Sequence, residues 1–234
     1  MQLFYNSDIS ENDKSFNFDK DESRHIVKVL RKNIGDTLHI TNGKGWRFTA
    51  ELISANSKHC SVHITQKNQE HKRPYNLHIA VAPTKMNDRF EWFLEKATEI
   101  GIETITPIIC DNSERKVVKT ERFEKIIQSA MKQSLNCYLP QLNNPISFKD
   151  FIGQDFIGQK FIAHCEETDK KSLKSQLQSN KDYVILIGPE GDFSVKEIEI
   201  ALRHNFIPVT LGNTRLRTET AAIVACHSVA LIND

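Results

Sequence analysis

The chain has 234 residues, enough for one large domain or for one medium and one small, and its net charge of +1 does not by itself point to nucleic acid. No apolar run approaches ~18 residues, and the start MQLFYNSDISEN lacks the basic and apolar stretches of a signal peptide, which predicts a soluble cytoplasmic protein with no membrane partner. The five cysteines, Cys60, Cys110, Cys137, Cys165 and Cys226, lie far apart with no CxxC, which argues against a zinc module or a disulfide framework, so no metal is expected.

Charge is unevenly distributed. Between Arg24 and Arg47 there are six basic residues against one acid, Asp36. In DESRHIVKVLRKNIGD the spacing predicts a short helix with Ile26, Val29 and Leu30 on one face. Arg24, Lys28 and Arg31 follow at i, i+4 and i+7 on another, with Lys32 beside them. Such a basic stripe suits phosphate, and a solvated surface helix would carry the same pattern. The next stretch, DTLHITNGKGWRFTAELISANSKHCSVHITQ, alternates polar and apolar residues around a turn at Asn42-Gly43-Lys44-Gly45, the pattern of antiparallel strands and a hairpin. The polar KNQEHKRP then reads as a linker that divides the chain near residue 72, into domains 1–72 and 73–234.

Downstream the rhythm changes to apolar strands separated by amphipathic helices. Strands are expected at 77–82, 104–110, 161–165, 183–187 and 207–211. DRFEWFLEKATEIG places Phe90, Phe93, Leu94, Ala97 and Ile100 on one face and stops at Gly101, and ERFEKIIQSAMKQSL repeats the pattern. Ser194 and Glu197 have the spacing of a capping box, so Ser194 is expected to cap the next helix. Alternation of this kind predicts an α/β fold with a mostly parallel sheet covered on both faces.

In such sheets ligands gather beyond the carboxyl ends of the strands. Three loops leave strands there: HCEETD, GPEGD and LGNTRLRTET. The glycine-proline loop lacks the Lys-Ser/Thr of a phosphate loop and no GxGxxG occurs, so a flat, mostly apolar ligand such as an adenosine suits it better than a dinucleotide. A simple turn would look the same. The last loop enters a stretch, Ala221 to Ile232, that is apolar on nearly all sides and must be buried inside the domain or against a second subunit. At this level an inert RNA-binding protein and a nucleotide-dependent enzyme both remain open.

GPEGDFS together with LGNTRLRTETA resembles the ribosomal RNA small-subunit uracil-N3 methyltransferases (the RsmE family) of the SPOUT superfamily. HIVKVLRKNIGD and KATEIG are similar to further segments of that family, so the likeness covers nearly the whole chain. It departs at Asp192, where a glycine is common, and at Leu135-Asn136, where an arginine often follows the Gln-Ser. The resemblance implies an N-terminal PUA-like barrel, a C-terminal deep trefoil knot, a homodimer, and transfer of a methyl group from S-adenosyl-L-methionine to N3 of a uridine of 16S ribosomal RNA on the small ribosomal subunit, the family target being uridine 1498. It implies that the donor is held by His164 and Cys165, by Gly188, Pro189, Glu190 and Gly191, and by Leu211, Gly212, Leu216, Thr218, Thr220 and Ala221.

Within that reading, Arg217 is the first candidate to stabilise charge on the uracil oxygens, with a salt bridge to Glu219 as the structural alternative. Glu219 and Glu190 are candidate bases, although either can instead bind loop amides, and solvent is a third acceptor. Arg215 can reach phosphate, alongside Arg24, Lys28, Arg31 and Lys32, or be a plain surface arginine. The neighbours His59-Cys60, His164-Cys165 and Cys226-His227 are read as packing rather than metal ligands, because adjacent strand residues face opposite ways.

Overall fold

A computed structural model describes residues 1–167 and 169–234. By their contacts these form two units, Met1–Lys72 with Met131–Leu139, and Arg73–Ala130 with Pro140–Asp234.

The first unit contains β1 (Leu3–Tyr5), β2 (Ser15–Asn17), α1 (Lys20–Arg24), a π-helical turn (His25–Val29), β3 (Thr37–Thr41), β4 (Trp46–Asn56) and β5 (His59–Gln69). Its sheet runs β1-β3-β4-β5-β2, antiparallel except for β1 with β3. Inward residues such as Phe18, Leu38, Ile40, Phe48, Leu52 and Val62 form one core. The β3–β4 hairpin turns where expected: Asn42 Oδ1 accepts the N–H groups of Lys44 (2.9 Å) and Trp46 (3.3 Å).

The basic segment differs from a simple α-helix. The bond from Leu30 N–H to the His25 carbonyl spans five residues, so each turn holds more residues than an α-turn and the inward face changes. Ile26 is fully buried, and Val27 and Leu30 pack on the core, whereas Val29 is 66% exposed. The expected face of Ile26, Val29 and Leu30 is therefore corrected to Ile26, Val27 and Leu30. Arg31 takes a left-handed φ of 54°, which ends the helix before it. Arg24, Lys28 and Arg31 are exposed and Lys32 is half-buried, but they do not form a straight α-helical row.

Residues 131–139 complete this unit. Gly45 N–H donates to the Cys137 carbonyl (2.8 Å), Leu139 N–H to Gly43 (2.9 Å) and Tyr138 Oη to the Glu70 carbonyl (2.8 Å). Leu135, in a left-handed conformation, presents its carbonyl to Arg47 Nη2 at 2.8 Å, and the same guanidinium pairs with Glu70.

The second unit carries β6 (Leu77–Val81), α2 (Asn87–Ile100), β7 (Thr104–Ile109), the first part of α3 (Thr120–Gln133), β8 (Gln141–Leu142), β9 (Ile146–Ser147), α4 (Phe148–Ile152), β10 (Gln159–Ala163), β11 (Lys171–Ser172), α5 (Leu173–Gln176), β12 (Tyr183–Ile187), α6 (Val195–Arg203), β13 (Ile207–Thr210) and α7 (Thr218–Asn233). All strand pairs in its sheet are parallel, in the order β11-β13-β10-β12-β6-β7-β8, with β9 beside β7. This is the expected α/β architecture. The central strand β12 is buried along its whole length, as its run of Val184, Ile185, Leu186 and Ile187 requires. Gly101, at φ 109°, stops α2 with its N–H on the Ala97 carbonyl. After β13, α7 packs against α2, β6, β12 and α5, so the chain end returns from β13 toward the middle of the sheet.

Candidate functional site

Because β13, β10 and β12 are consecutive in the sheet, the three loops that follow them emerge side by side at its carboxyl edge. They enclose two adjoining clefts, of about 760 Å³ and about 280 Å³. The larger is lined by His164, Cys165, Gly191, Leu211, Gly212 and Arg215 among others, and the smaller by Gly188, Pro189, Glu190, Arg217 and Thr218. Leu216 and Ala221 belong to both.

Local chemistry holds the loops. Ser194 caps α6 as expected: its Oγ accepts Glu197 N–H at 3.2 Å while Glu197 Oε2 accepts Ser194 N–H at 2.9 Å. The other Glu197 oxygen accepts Asp111 N–H at 2.9 Å, which brings the loop after β7 alongside. Asn112 Nδ2 then donates to the carbonyls of Gly191 (3.2 Å) and Asp192 (3.1 Å). Thr218 Oγ1 donates to the Gly188 carbonyl at 3.1 Å, joining the start of α7 to the GPEGD loop.

His164 is 7% exposed, and neither ring nitrogen has a hydrogen-bond partner among the described residues. Burial lowers its pKa from the usual 6.5, Lys170 lowers it further and Asp192 opposes both, so the ring is neutral at pH 7. A neutral imidazole with two unpartnered nitrogens in a cleft wall is suited to a polar ligand edge. Val209, Leu211, Leu216 and Ala221 supply apolar surface around it. These residues fit a flat ligand with polar margins, and the larger volume lies within the range of small-molecule sites.

Two expected residues line neither cleft. Successive residues of the first turn of α7 rotate by about 100°, so Thr218 and Ala221 face the clefts while Glu219 and Thr220 turn away. Glu219 is 7% exposed, with Oε1 4.0 Å from Arg89 Nε on α2 and a buried Oε2 that has no partner among the described residues. Arg217 makes no salt bridge to Glu219; it is exposed at the helix start and free of ion pairs among the described residues. Arg215 is likewise exposed. Arg24, Lys28, Arg31 and Lys32 lie in the first unit.

One further segment, which lines neither cleft, holds the smaller one from outside. The segment between β6 and α2 comes alongside because β6 neighbours β12, and Lys85 N–H donates to Glu190 Oε1 at 2.9 Å. Only the sheet order reveals it, since PTKM carries no motif. Among the described residues no three His, Cys, Asp or Glu side chains are grouped to hold a metal ion, and no helix is long and apolar enough to cross a membrane.

Comparison with known proteins agrees with this geometry. A family model for the RNA methyltransferase domain matches residues 70–230, and one for the RNA methyltransferase PUA domain matches residues 18–65. The chain is 31% identical to the ribosomal RNA small subunit methyltransferase E of Rickettsia conorii, over 100% of this chain and 96% of the relative. A probable rRNA-methyltransferase from Porphyromonas gingivalis superposes with a TM-score of 0.92 at 39% identity, covering 100% of this chain and 98% of that one. The ribosomal RNA small subunit methyltransferase E from Neisseria gonorrhoeae, solved bound to S-adenosyl methionine, superposes with a TM-score of 0.87 at 25% identity, covering 100% and 98%. Along its whole length, then, the chain belongs to the ribosomal RNA small subunit methyltransferase E family, with an RNA methyltransferase domain behind an RNA methyltransferase PUA domain.

Proposed function

We propose that the two clefts bind S-adenosyl-L-methionine and that the protein transfers its methyl group to N3 of a uridine in 16S ribosomal RNA, acting on the small ribosomal subunit in the cytoplasm. The observation that carries the donor site is His164, buried in the larger cleft with both ring nitrogens unpartnered among the described residues, on a chain whose relative from Neisseria gonorrhoeae was solved with this donor. When bound, the donor supplies an electrophilic methyl carbon on a cationic sulfur.

The protein's part is positioning and charge. Holding nucleophile, methyl and leaving sulfur in line can supply ~7 kcal/mol or more of the barrier. Uracil N3 becomes nucleophilic once its proton leaves, and negative charge then spreads to O2 and O4. Arg217, exposed on the smaller cleft and free of ion pairs among the described residues, is the cation we assign to those oxygens. Of the two candidate carboxylates, Glu190 lines that cleft; its Oε1 accepts Lys85 N–H, and its other oxygen is our proton acceptor, with solvent as its competitor. Glu219, buried beside Arg89, orders the start of α7 instead.

Arg24, Lys28, Arg31 and Lys32, together with Arg215, are assigned to RNA phosphates, the first four in a proposed RNA-binding domain 1–72 ahead of a methyltransferase domain 73–234. The return of the chain end from β13 to pack on β12 and β6 supports the trefoil knot. A homodimer is supported by apolar surface left on α7 and its neighbour α2: Leu231 is 57%, Ile232 36% and Trp92 46% exposed. Sedimentation at micromolar concentration is expected to show twice the chain mass.

The test is single-turnover transfer of labelled methyl to small ribosomal subunits, with the product nucleoside identified by mass spectrometry. Label in N3-methyluridine supports the reading. Donor binding without any label would favour an inert RNA-binding protein.

A further inference from the structure

Asp192 stands where the resembling family commonly has glycine, and its backbone keeps a left-handed φ of 63°, a conformation that disfavours any residue with a Cβ. What the side chain does there is visible. Its Oδ2 accepts Cys165 N–H at 2.6 Å, and its Oδ1 accepts its own neighbour's Phe193 N–H at 2.8 Å. The carboxylate thus fastens the loop after β10 to the GPEGD loop and still has lone pairs to spare.

Its position relative to the clefts is the second observation. Ala163, Cys165, Asp192, Arg215, Leu216 and Ala221 line both, and so form a wall common to the two. Among the described residues Asp192 is the sole acid of that wall and Arg215, which is exposed, the sole base. The remaining charges lie on one side or the other: Glu166, Glu167 and Lys170 on the larger cleft, Glu190 and Arg217 on the smaller. A ligand that spans the clefts therefore passes a fixed negative charge held by two backbone amides.

We propose that Asp192 makes the site selective for a cationic methyl donor over its neutral product. This rests on the donor site proposed above. In the transfer the carbon–sulfur bond breaks with its electron pair on sulfur, the new bond forms from the deprotonated N3 to the methyl carbon, and the sulfonium becomes an uncharged thioether. A carboxylate on the shared wall attracts the ligand before that step and loses its hold afterwards, so Asp192 aids exchange of product for fresh donor.

The experiment is isothermal titration of the full-length protein with S-adenosylmethionine, with neutral S-adenosylhomocysteine, and with sinefungin, whose amine is cationic at neutral pH. Asp192→Asn keeps the shape and an acceptor oxygen while removing the charge. Asp192→Gly removes the side chain in a backbone that glycine adopts freely, and so provides a folded variant should the amide disturb the loop. In both, the two cationic ligands are expected to weaken about tenfold more than S-adenosylhomocysteine, the scale of one partly screened charge pair. In wild type the preference for the cationic ligands should shrink as salt is raised. If all three ligands weaken alike, Asp192 is only a clip between loops and the proposal is overturned, as it is if the ratios stay at wild-type values. Wild type that binds none of the three overturns the donor site itself.

Discussion

Thr218 Oγ1 and the Gly188 carbonyl, 3.1 Å apart and buried, join the first turn of α7 to the end of β12. A valine has nearly the same shape and no donor. Thr218→Val is therefore expected to cost about 1–2 kcal/mol of stability by denaturant unfolding, the scale of one buried hydrogen bond left half-made. It should also weaken donor binding, because both loops of the smaller cleft hang on that bond.

Gly191 and Gly212 test the cleft itself. A Cβ on Gly191 would lie 3.2 Å from Asn112 Cβ, tighter than ordinary contact, and so would press the loop off its Asn112 hydrogen bonds. Gly212 has open space around it but a φ of +148°, where a side chain is strained. Gly191→Val and Gly212→Val are expected to abolish S-adenosylmethionine binding by calorimetry while far-UV circular dichroism stays unchanged. Unaltered affinity in either folded variant removes that loop from the site.

Chemistry and RNA grip should separate. Arg217→Ala is expected to slow single-turnover methyl transfer by ~100-fold, the scale of losing one preorganised donor to a developing anion, with subunit binding nearly intact. The triple change of Arg24, Lys28 and Arg31 to Ala should do the reverse. It should weaken subunit binding and flatten its salt dependence by up to ~0.7 to 0.9 in log-log slope for each phosphate no longer neutralised, with donor affinity untouched. A triple variant with the wild-type salt slope would move the phosphate grip elsewhere.

His164 sets a pH dependence whose sign follows from its environment. Its folded pKa lies below 6.5, so the unfolded chain takes up this proton first as pH falls. The contribution to stability is full above the unfolded value and is lost on descending from it through the folded one. Donor affinity should fall over the same window, because the protonated ring loses its acceptor and repels a cationic ligand. Titration of the donor from pH 8 to 5 should show this loss in wild type, and His164→Asn should flatten the curve.

Features set by local chemistry were legible in the sequence. Gly101 ends α2 and the Ser194–Glu197 box opens α6 because each depends on residues within one turn. Strand β10 starts two residues earlier than expected: Gln159 and Lys160 are polar and half-buried, and pair with β12 through their backbone, which apolar runs cannot signal. The π-turn at 25–29 was invisible for a related reason, since Ile26, Val29 and Leu30 satisfy an α-helical spacing and only the fit of Val27 onto the core selects the wider turn. Sheet order was the largest gap. It decides that Lys85 meets Glu190 and that Arg89, rather than Arg217, stands by Glu219, and these residues are 105 and 130 positions apart.

Residues 131–139 carry a consequence for synthesis on the ribosome. Gly45 N–H, the Gly43 and Glu70 carbonyls and the Arg47 guanidinium all find partners in that segment. A nascent chain that has emerged only through residue 72 has the strands of the first unit and lacks their last neighbour, which arrives after another whole stretch of the second unit has been made. The N-terminal unit therefore cannot close in the order in which it is translated, and a fragment cut at the apparent linker would keep an open flank where Cys137 and Tyr138 belong. The segment is a late clasp: the first unit is complete only once the chain has been made well into the second.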